Sequence, residues 1–187
     1  MNVAAMESIQ RGLAIRFQQL ADVQRSIRDE LVAHADGKNL KGNELVGWLG
    51  EIYVKSLLGG QLVSDALEHD VETRAGFRVS VKTRKGWNSG WRQTSAIPKT
   101  SGPTCPTHLA FVHLDDEYAL DRIWMYNWQE LENSGRFKKH IVRGEFRSYI
   151  FSVDEIRDRK RVIYEAAAVN TPQRRIASSA GAPPASR

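Results

Sequence analysis

The sequence is poor in cysteine and histidine, the residues that form disulfides and zinc sites. Its 187 residues include one cysteine, Cys105, and five histidines. A single cysteine excludes an internal disulfide, and one cysteine with five scattered histidines cannot form a zinc-binding constellation. Cys105 lies between Thr104 and Pro106, and we do not expect it to act as a nucleophile.

Long apolar runs are also missing. No segment approaches the ~20 consecutive apolar residues that a transmembrane helix needs, and the first residues show no apolar run of the signal-peptide type. We therefore expect a cytoplasmic protein with no membrane partner. A hydrophobic content of 41% with five tryptophans predicts a folded globule.

Acidic residues are absent from one long stretch in the middle of the chain. Residues 73–114 contain no Asp or Glu, although Lys and Arg recur throughout them. The whole chain has a formal net charge of +5 and a pI of about 9.5. Basic proteins associate with polyanions, and a solvated basic surface is the alternative interpretation of the stretch.

Two helices are predicted in the first third of the chain. Apolar residues recur at helical spacing over residues 6–35, which indicates one long amphipathic helix. We interpret its apolar stripe as a docking face that covers the domain or forms a homodimer contact. A second helix is predicted over residues 43–58, with Asn43 as its cap and Gly59-Gly60 as its end.

Strands are predicted after this second helix. Residues 69–74 and 77–82 form a hairpin around Ala75-Gly76, while residues 108–114 and 122–126 form two further strands. Asn127 is expected to cap a short helix that ends at Glu132. We interpret the remainder as a polar loop (85–106), an irregular basic segment (136–147), a short strand (149–151) and a charged helix (153–162).

This order predicts an α/β fold with a mixed sheet. We divide the chain into an N-terminal helix (residues 1–38), a globular domain (39–165) and a tail (166–187). Pro, Ser, Ala, Gly and Arg dominate the tail, so we expect it to be disordered.

Polar residues on the hairpin suggest chemistry. Alternate side chains of a strand share a face, so Ser80 and Lys82 point the same way, near Asp70 on the first strand. Glu51 lies at the edge of the buried face of the preceding helix. Metal-dependent phosphodiester hydrolysis needs acids that hold Mg²⁺ and a lysine that stabilises the developing charge. The layout therefore favours such a site.

Each of these residues also has a simpler interpretation. Glu51 could pair with Lys55 across one helical turn. Asp70 could be a turn residue, and Lys82 could be an edge-strand lysine that discourages aggregation. The functional interpretation depends on the three residues together.

The chain resembles the PD-(D/E)xK nuclease superfamily, which has the restriction-endonuclease-like fold, in Gly50-Glu51, His69-Asp70-Val71 and Ser80-Val81-Lys82. It is similar to small stand-alone bacterial proteins of that fold, and the similarity spans roughly residues 40–126. The resemblance implies an α-β-β-β-α-β core, a mixed sheet flanked by helices, and Mg²⁺ or Mn²⁺ as cofactor. It also implies catalytic roles for Glu51, Asp70, Ser80 and Lys82, with Glu51, Asp70 and the Val81 carbonyl as metal ligands.

Ser80 departs from the family pattern, which has a second acid at this position. Three alternatives follow. Either Glu44 or Glu72 compensates, or the metal is held mainly by Glu51, Asp70 and the Val81 carbonyl, or the site is catalytically inactive.

The resemblance implies a DNA nuclease of the restriction, repair or mobile-element kind. The alternative is a nucleic-acid-binding module without catalysis, and a third hypothesis is an interaction protein that pairs through its first helix. In a nuclease, basic side chains would contact phosphates without sequence specificity, and we assign this role to Arg84, Lys85, Arg92 and Lys99. Trp87 and Trp91 could stack on bases or anchor their loop on the domain.

Overall fold

The computed structural model describes residues 3–38, 45–87, 90–115 and 118–166. The predicted cap Asn43, the alternative ligand Glu44 and almost all of the predicted tail lie outside these residues. The described helices are α1 (Val3–Val32), α2 (Leu45–Leu58) and α3 (Trp128–Asn133). None of them has a segment that is long and apolar enough to cross a membrane.

In the described part of the chain, nine strands form two sheets. The larger sheet contains β1 (Gly60–Leu62), β2 (Val71–Thr73), β3 (Arg78–Lys85), β5 (His108–Leu114), β6 (Leu120–Asn127) and β9 (Val162–Glu165), in the order β1-β2-β3-β5-β6-β9. The smaller sheet contains β4 (Gln93–Ile97), β7 (Lys138–Val142) and β8 (Glu145–Ser152), in the order β4-β8-β7. In the larger sheet β3 and β5 are parallel, and the other neighbours are antiparallel. The protein is therefore α/β with a mixed sheet.

The large sheet has an apolar core on each face. On one face α2 packs against Val79 and Val81 of β3, and Leu31 in the last turn of α1 and Ala35 just after it belong to the same cluster. On the other face the smaller sheet contributes Phe151 to an aromatic cluster. Side chains on the middle of α1, among them Ile15 and Leu20, are exposed, and the homodimer contact expected from this helix stays a prediction.

The elements with the clearest local signals form where the sequence predicts them. The hairpin turns at Ala75-Gly76, where Gly76 has a φ of 79° and donates to the Thr73 carbonyl over 2.9 Å. The central strand occupies residues 108–114. Asn127 caps α3 through its side-chain oxygen, which accepts from the Glu130 amide at 3.1 Å.

Three predictions about the chain after residue 85 are wrong. The polar loop contains β4, the segment taken as irregular forms β7 and the start of β8, and residues 153–162 form turns and a 3₁₀ turn (Arg159–Arg161) instead of a helix. The described residues between β3 and β5 contain no helix. The connection between the parallel strands β3 and β5 therefore consists of β4 and loops. This differs from the α-β-β-β-α-β order that the resemblance implies.

A buried ion pair links residues 153–162 to a distant part of the chain. Asp158 is only 3% exposed, and Arg136 donates to both of its carboxylate oxygens, at 2.9 and 2.8 Å. Tyr126 and the Asp154 amide donate to the same carboxylate, at 3.0 and 2.9 Å. Burial alone would raise the pKa of Asp158, but these hydrogen bonds outweigh it and hold the pKa below the ordinary 3.8.

We expect Asp158→Ala to lower the free energy of unfolding by about 3–5 kcal/mol, because it leaves the Arg136 guanidinium partly buried without a counter-ion. A carboxyl with a depressed pKa stabilises the fold above its ordinary pKa, and the stabilisation is lost as the pH falls through the folded-state value. The difference from wild type should therefore shrink below about pH 3.8. Urea unfolding followed by tryptophan fluorescence measures it.

The matched control is Glu145→Ala. Glu145 pairs with Arg147 at 3.0 Å, and both side chains are mainly exposed. Removal of Glu145 should therefore lower the free energy of unfolding by at most about 1 kcal/mol. Equal stabilities for the two variants would contradict a structural role for the Asp158 pair.

Candidate functional site

The candidate site lies where β2 separates from β3. The two strands pair at Val71 with Val79 and at Glu72 with Arg78, and the Asp70 amide donates to the Val79 carbonyl at 2.9 Å. At the next position along this edge of β3, the Asp70 carboxylate takes the place of a strand. Its Oδ2 accepts from the Val81 amide at 2.7 Å.

This hydrogen bond also places the Val81 carbonyl. The N–H and C=O groups of one strand residue point to the same side, since paired residues exchange both hydrogen bonds. The Val81 carbonyl therefore lies on the edge of β3 that Asp70 occupies. Two oxygen donors predicted for a metal share this edge.

Asp70, Ser80 and Lys82 line one cleft of about 260 Å³, which β4, Lys99 and Trp128 also border. Ser80 is buried, and its Oγ lies 3.5 Å from Asp70 Oδ2. Lys82 is partly buried. Among the described residues, its ammonium has no hydrogen-bond or ion-pair partner. The structure thus brings three of the predicted residues to one cavity.

Glu51 reaches the same end of the sheet from α2. Its burial, and then the negative charge of Asp70, raise the pKa of Glu51 above the ordinary 4.5, although Lys38 opposes the shift. Lys38 Nζ lies 2.8 Å from Glu51 Oε2 and 3.1 Å from Asp65 Oδ1. Burial would lower the pKa of Lys38, but its carboxylate partners outweigh burial and raise the pKa above 10.5.

Lys38 and Asp65 were not found by sequence reasoning. Lys38 follows α1 closely, and the sequence places it only within the predicted N-terminal helix (residues 1–38). Its contact with Glu51 joins residues 13 positions apart, so no local spacing indicates it. The partner of Glu51 is Lys38, whereas Lys55 binds Asp36 at 2.7 Å. The simpler interpretation, a Glu51–Lys55 pair, is therefore wrong.

Gly50 sets the position of Glu51. A Cβ atom on Gly50 would lie 1.9 Å from Thr83 Oγ1, a distance that no side chain can adopt. Because Gly50 has no side chain, α2 can rest directly on β3 at Thr83. This close approach holds the following residue, Glu51, close to β3, where the charge of Asp70 acts on it.

The donor set matches a hard divalent cation only in part. Among the described residues, no group of three or more His, Cys, Asp or Glu side chains is placed to hold a metal. Magnesium is often bound through one or two carboxylates, with waters and substrate phosphate as its other ligands. Asp70 and Glu51 meet that minimum if Lys38 gives up Glu51. Glu72 is exposed and does not line the cleft.

The predicted phosphate-binding side chains have partners in the fold. Arg84 Nε donates to the Gln93 carbonyl at 2.6 Å, and Lys85 Nζ lies 4.0 Å from the Tyr118 ring. Arg92 pairs with Glu155. Lys99 pairs with Glu68 at 2.5 Å on the rim of the cleft. Of the four cations, only Lys99 borders the cavity that contains Lys82.

The two predicted stacking tryptophans differ in exposure. Trp91 is only 5% exposed, and its ring lies 4.1 Å from His113 and 6.2 Å from Trp124. This placement favours the loop-anchor interpretation for Trp91. Trp87 also lies on His113, at 4.3 Å, but it keeps an exposed surface.

Comparison with known proteins assigns no family. No protein-family model matches the chain, and no curated protein matches its sequence. The superfamily assignment therefore rests on the residues quoted above and stays a prediction.

We expect Lys38→Met to lower the free energy of unfolding by about 1–3 kcal/mol at neutral pH, because Glu51 loses its buried partner. The substitution removes an interaction that lowers the Glu51 pKa, so the folded protein should hold this proton still more tightly than the unfolded chain. Stability then decreases as the pH rises from the ordinary 4.5 through the raised pKa. Urea unfolding should show a larger loss at about pH 8 than at about pH 5.

Lys55→Met is the matched control. The hydrogen bond from Lys55 is the main cause that lowers the pKa of Asp36, but the Leu62 backbone amide lowers it too. Asp36 should therefore stay ionised at both pH values without Lys55, and the loss of stability should be equal at the two. A pH-independent loss in Lys38→Met would show that Glu51 does not depend on Lys38.

Proposed function

We propose that the protein is a divalent-metal-dependent nuclease that hydrolyses phosphodiester bonds in DNA, built on the PD-(D/E)xK pattern. The observation that carries the proposal is Lys82. A partly buried ammonium without a counter-ion costs free energy, which suits a site that receives an anion. Asp70 lies in the same cleft, so the cavity offers both a positive group and a carboxylate.

Each residue would have a distinct role. A Mg²⁺ or Mn²⁺ ion bound here would polarise the phosphate and acidify an attacking water. Asp70, Glu51 and the Val81 carbonyl would hold the ion. Lys82 would bind a phosphate oxygen and stabilise the negative charge that develops on it. Lys99, at the rim, would contact a neighbouring phosphate if it exchanged Glu68 for the substrate.

We expect Lys82→Ala to reduce cleavage of plasmid DNA in Mn²⁺ by at least about a hundredfold, the usual effect of removing a group that stabilises transition-state charge. Gel electrophoresis of supercoiled plasmid over time measures the rate. Lys160→Ala is the control, because Lys160 is exposed and lies beside β9, at the opposite edge of the large sheet from β1. Wild-type cleavage by Lys82→Ala would refute the proposed role.

A nucleic-acid-binding module without catalysis is the second candidate. Two observations favour it: Ser80 supplies no carboxylate, and Lys38 already neutralises Glu51. Ser80 Oγ already contacts Asp70, so a carboxylate at position 80 would lie beside the Asp70 carboxylate. The two candidates differ in whether this carboxylate would increase cleavage.

We expect Ser80→Asp to place a second carboxylate beside Asp70 and so to increase affinity for Mn²⁺, because two adjacent carboxylates repel each other until a cation lies between them. Ser80→Asn is the control of the same size without the charge. Without metal, the Asp variant should melt below the Asn variant, and Mn²⁺ should raise its melting temperature more.

The same pair separates the two candidate functions. Cleavage that appears or increases only in Ser80→Asp would indicate a nuclease site weakened by Ser80. If wild type and Ser80→Asp bind DNA but neither cuts it with Mg²⁺ or Mn²⁺, the binding-module interpretation holds.

A further inference from the structure

Strands β7 and β8 form a two-stranded ribbon (residues 138–148) that leaves both of its faces largely open. Its turn is Arg143-Gly144, with positive φ angles of 53° and 83°, the backbone typical of a tight two-residue hairpin. From position 138 to position 147 every residue except His140 is exposed. The ribbon is therefore not held by core packing over most of its length.

The ribbon carries a strong positive charge. It contains four cations, Lys138, Lys139, Arg143 and Arg147, and one acid, Glu145. Glu145 lies 3.0 Å from Arg147, so the other three cations have no acid on the ribbon to pair with. Such a surface attracts the phosphates of nucleic acids.

An apolar pair lies among these charges. Ile141 and Phe146 are register partners across the ribbon, and they are 59% and 49% exposed. Lysines on an edge strand can simply prevent aggregation, and this explains Lys138 and Lys139. It does not explain exposed Ile and Phe beside them, because those residues promote the aggregation that lysines prevent.

The ribbon extends toward the candidate site. In the smaller sheet Tyr149 of β8 lies opposite Ile97, near the end of β4, and β4 continues into Pro98 and Lys99 at the cleft. The strands are antiparallel, so the four residues of β8 before Tyr149 extend beyond β4 in the direction of the cleft. At ~3.4 Å per residue they reach about 13 Å further.

We propose that this ribbon enters the major groove of double-stranded DNA and holds the duplex against the cleft. The major groove of B-DNA is wide enough for a two-stranded β-ribbon, whereas that of A-form RNA is too deep and narrow. Lys138, Lys139 and Arg143 contact phosphates on the groove edges. Ile141 and Phe146 contact base edges, where the thymine methyl group is the apolar surface.

The inference deepens the proposed function by naming duplex DNA as its substrate, and it is tested without catalysis. Fluorescence anisotropy of a labelled duplex of about 30 base pairs is measured in EDTA at several salt concentrations. In Lys138→Gln/Lys139→Gln the affinity should fall at least fivefold at low salt. The slope of log K against log salt should decrease in magnitude by about 1.8, the value for two lost phosphate contacts.

The charge-matched control is Arg74→Gln/Lys160→Gln, which removes two exposed cations outside the ribbon. It should keep the wild-type slope. Phe146→Thr tests the apolar contact: affinity should fall while the salt slope stays unchanged. Melting temperatures close to that of wild type exclude loss of folding for all variants.

Equal slopes for the ribbon and control variants would overturn the inference. Tighter binding of single-stranded DNA or double-stranded RNA than of the duplex would also overturn it. If ribbon variants lose binding but wild type cuts no DNA with any metal, the inference stands and the nuclease proposal fails. If cleavage requires Lys82 but the ribbon variants bind DNA as wild type does, the nuclease proposal stands and the ribbon inference fails.

Discussion

The hydrogen bond from the Val81 amide to the Asp70 carboxylate is the interaction on which the candidate site depends. A strand-edge amide needs a partner, and where β2 separates from β3 a side chain provides it instead of a strand. The short bond of 2.7 Å fixes the carboxylate and leaves a gap between the strands. The Ser80 and Lys82 side chains border that gap because they alternate with Val79 and Val81, which pack against α2.

The two faces of the large sheet contribute different parts of this arrangement. On the α2 face, the contact of Gly50 with Thr83 brings Glu51 close to β3. On the other face, β4 closes the cleft. Lys38 pairs with both Glu51 and Asp65, so its ammonium already neutralises the Glu51 carboxylate. Any metal that used Glu51 would compete with a cation tethered to the chain itself.

Local signals allowed part of this structure to be predicted from the sequence. The Ala75-Gly76 turn and the Asn127 cap involve neighbouring residues, and the alternation that groups Ser80 with Lys82 is a property of any strand. The predictions for residues 136–147 and 153–162 are wrong because the conformations of these segments depend on distant partners. Asp158 is held by Arg136, 22 residues away, and the ribbon shows no apolar alternation because most of its length buries no face. The contacts of Lys38 with Glu51 and of Gly50 with Thr83 were not predictable for the same reason, since they exist only after the chain has folded.

The acid-free stretch at residues 73–114 is not free of acids in the folded structure. Two of its basic side chains are neutralised: Arg92 pairs with Glu155 and Lys99 with Glu68, acids that lie outside the stretch in sequence and beside it in space. Lys82 has no such partner among the described residues. The ribbon carries an excess of positive charge, with one acid among four cations. Because long-range attraction depends on net charge in space, in the proposed nuclease the ribbon would contribute DNA affinity and the cleft around Lys82 would contribute the chemistry.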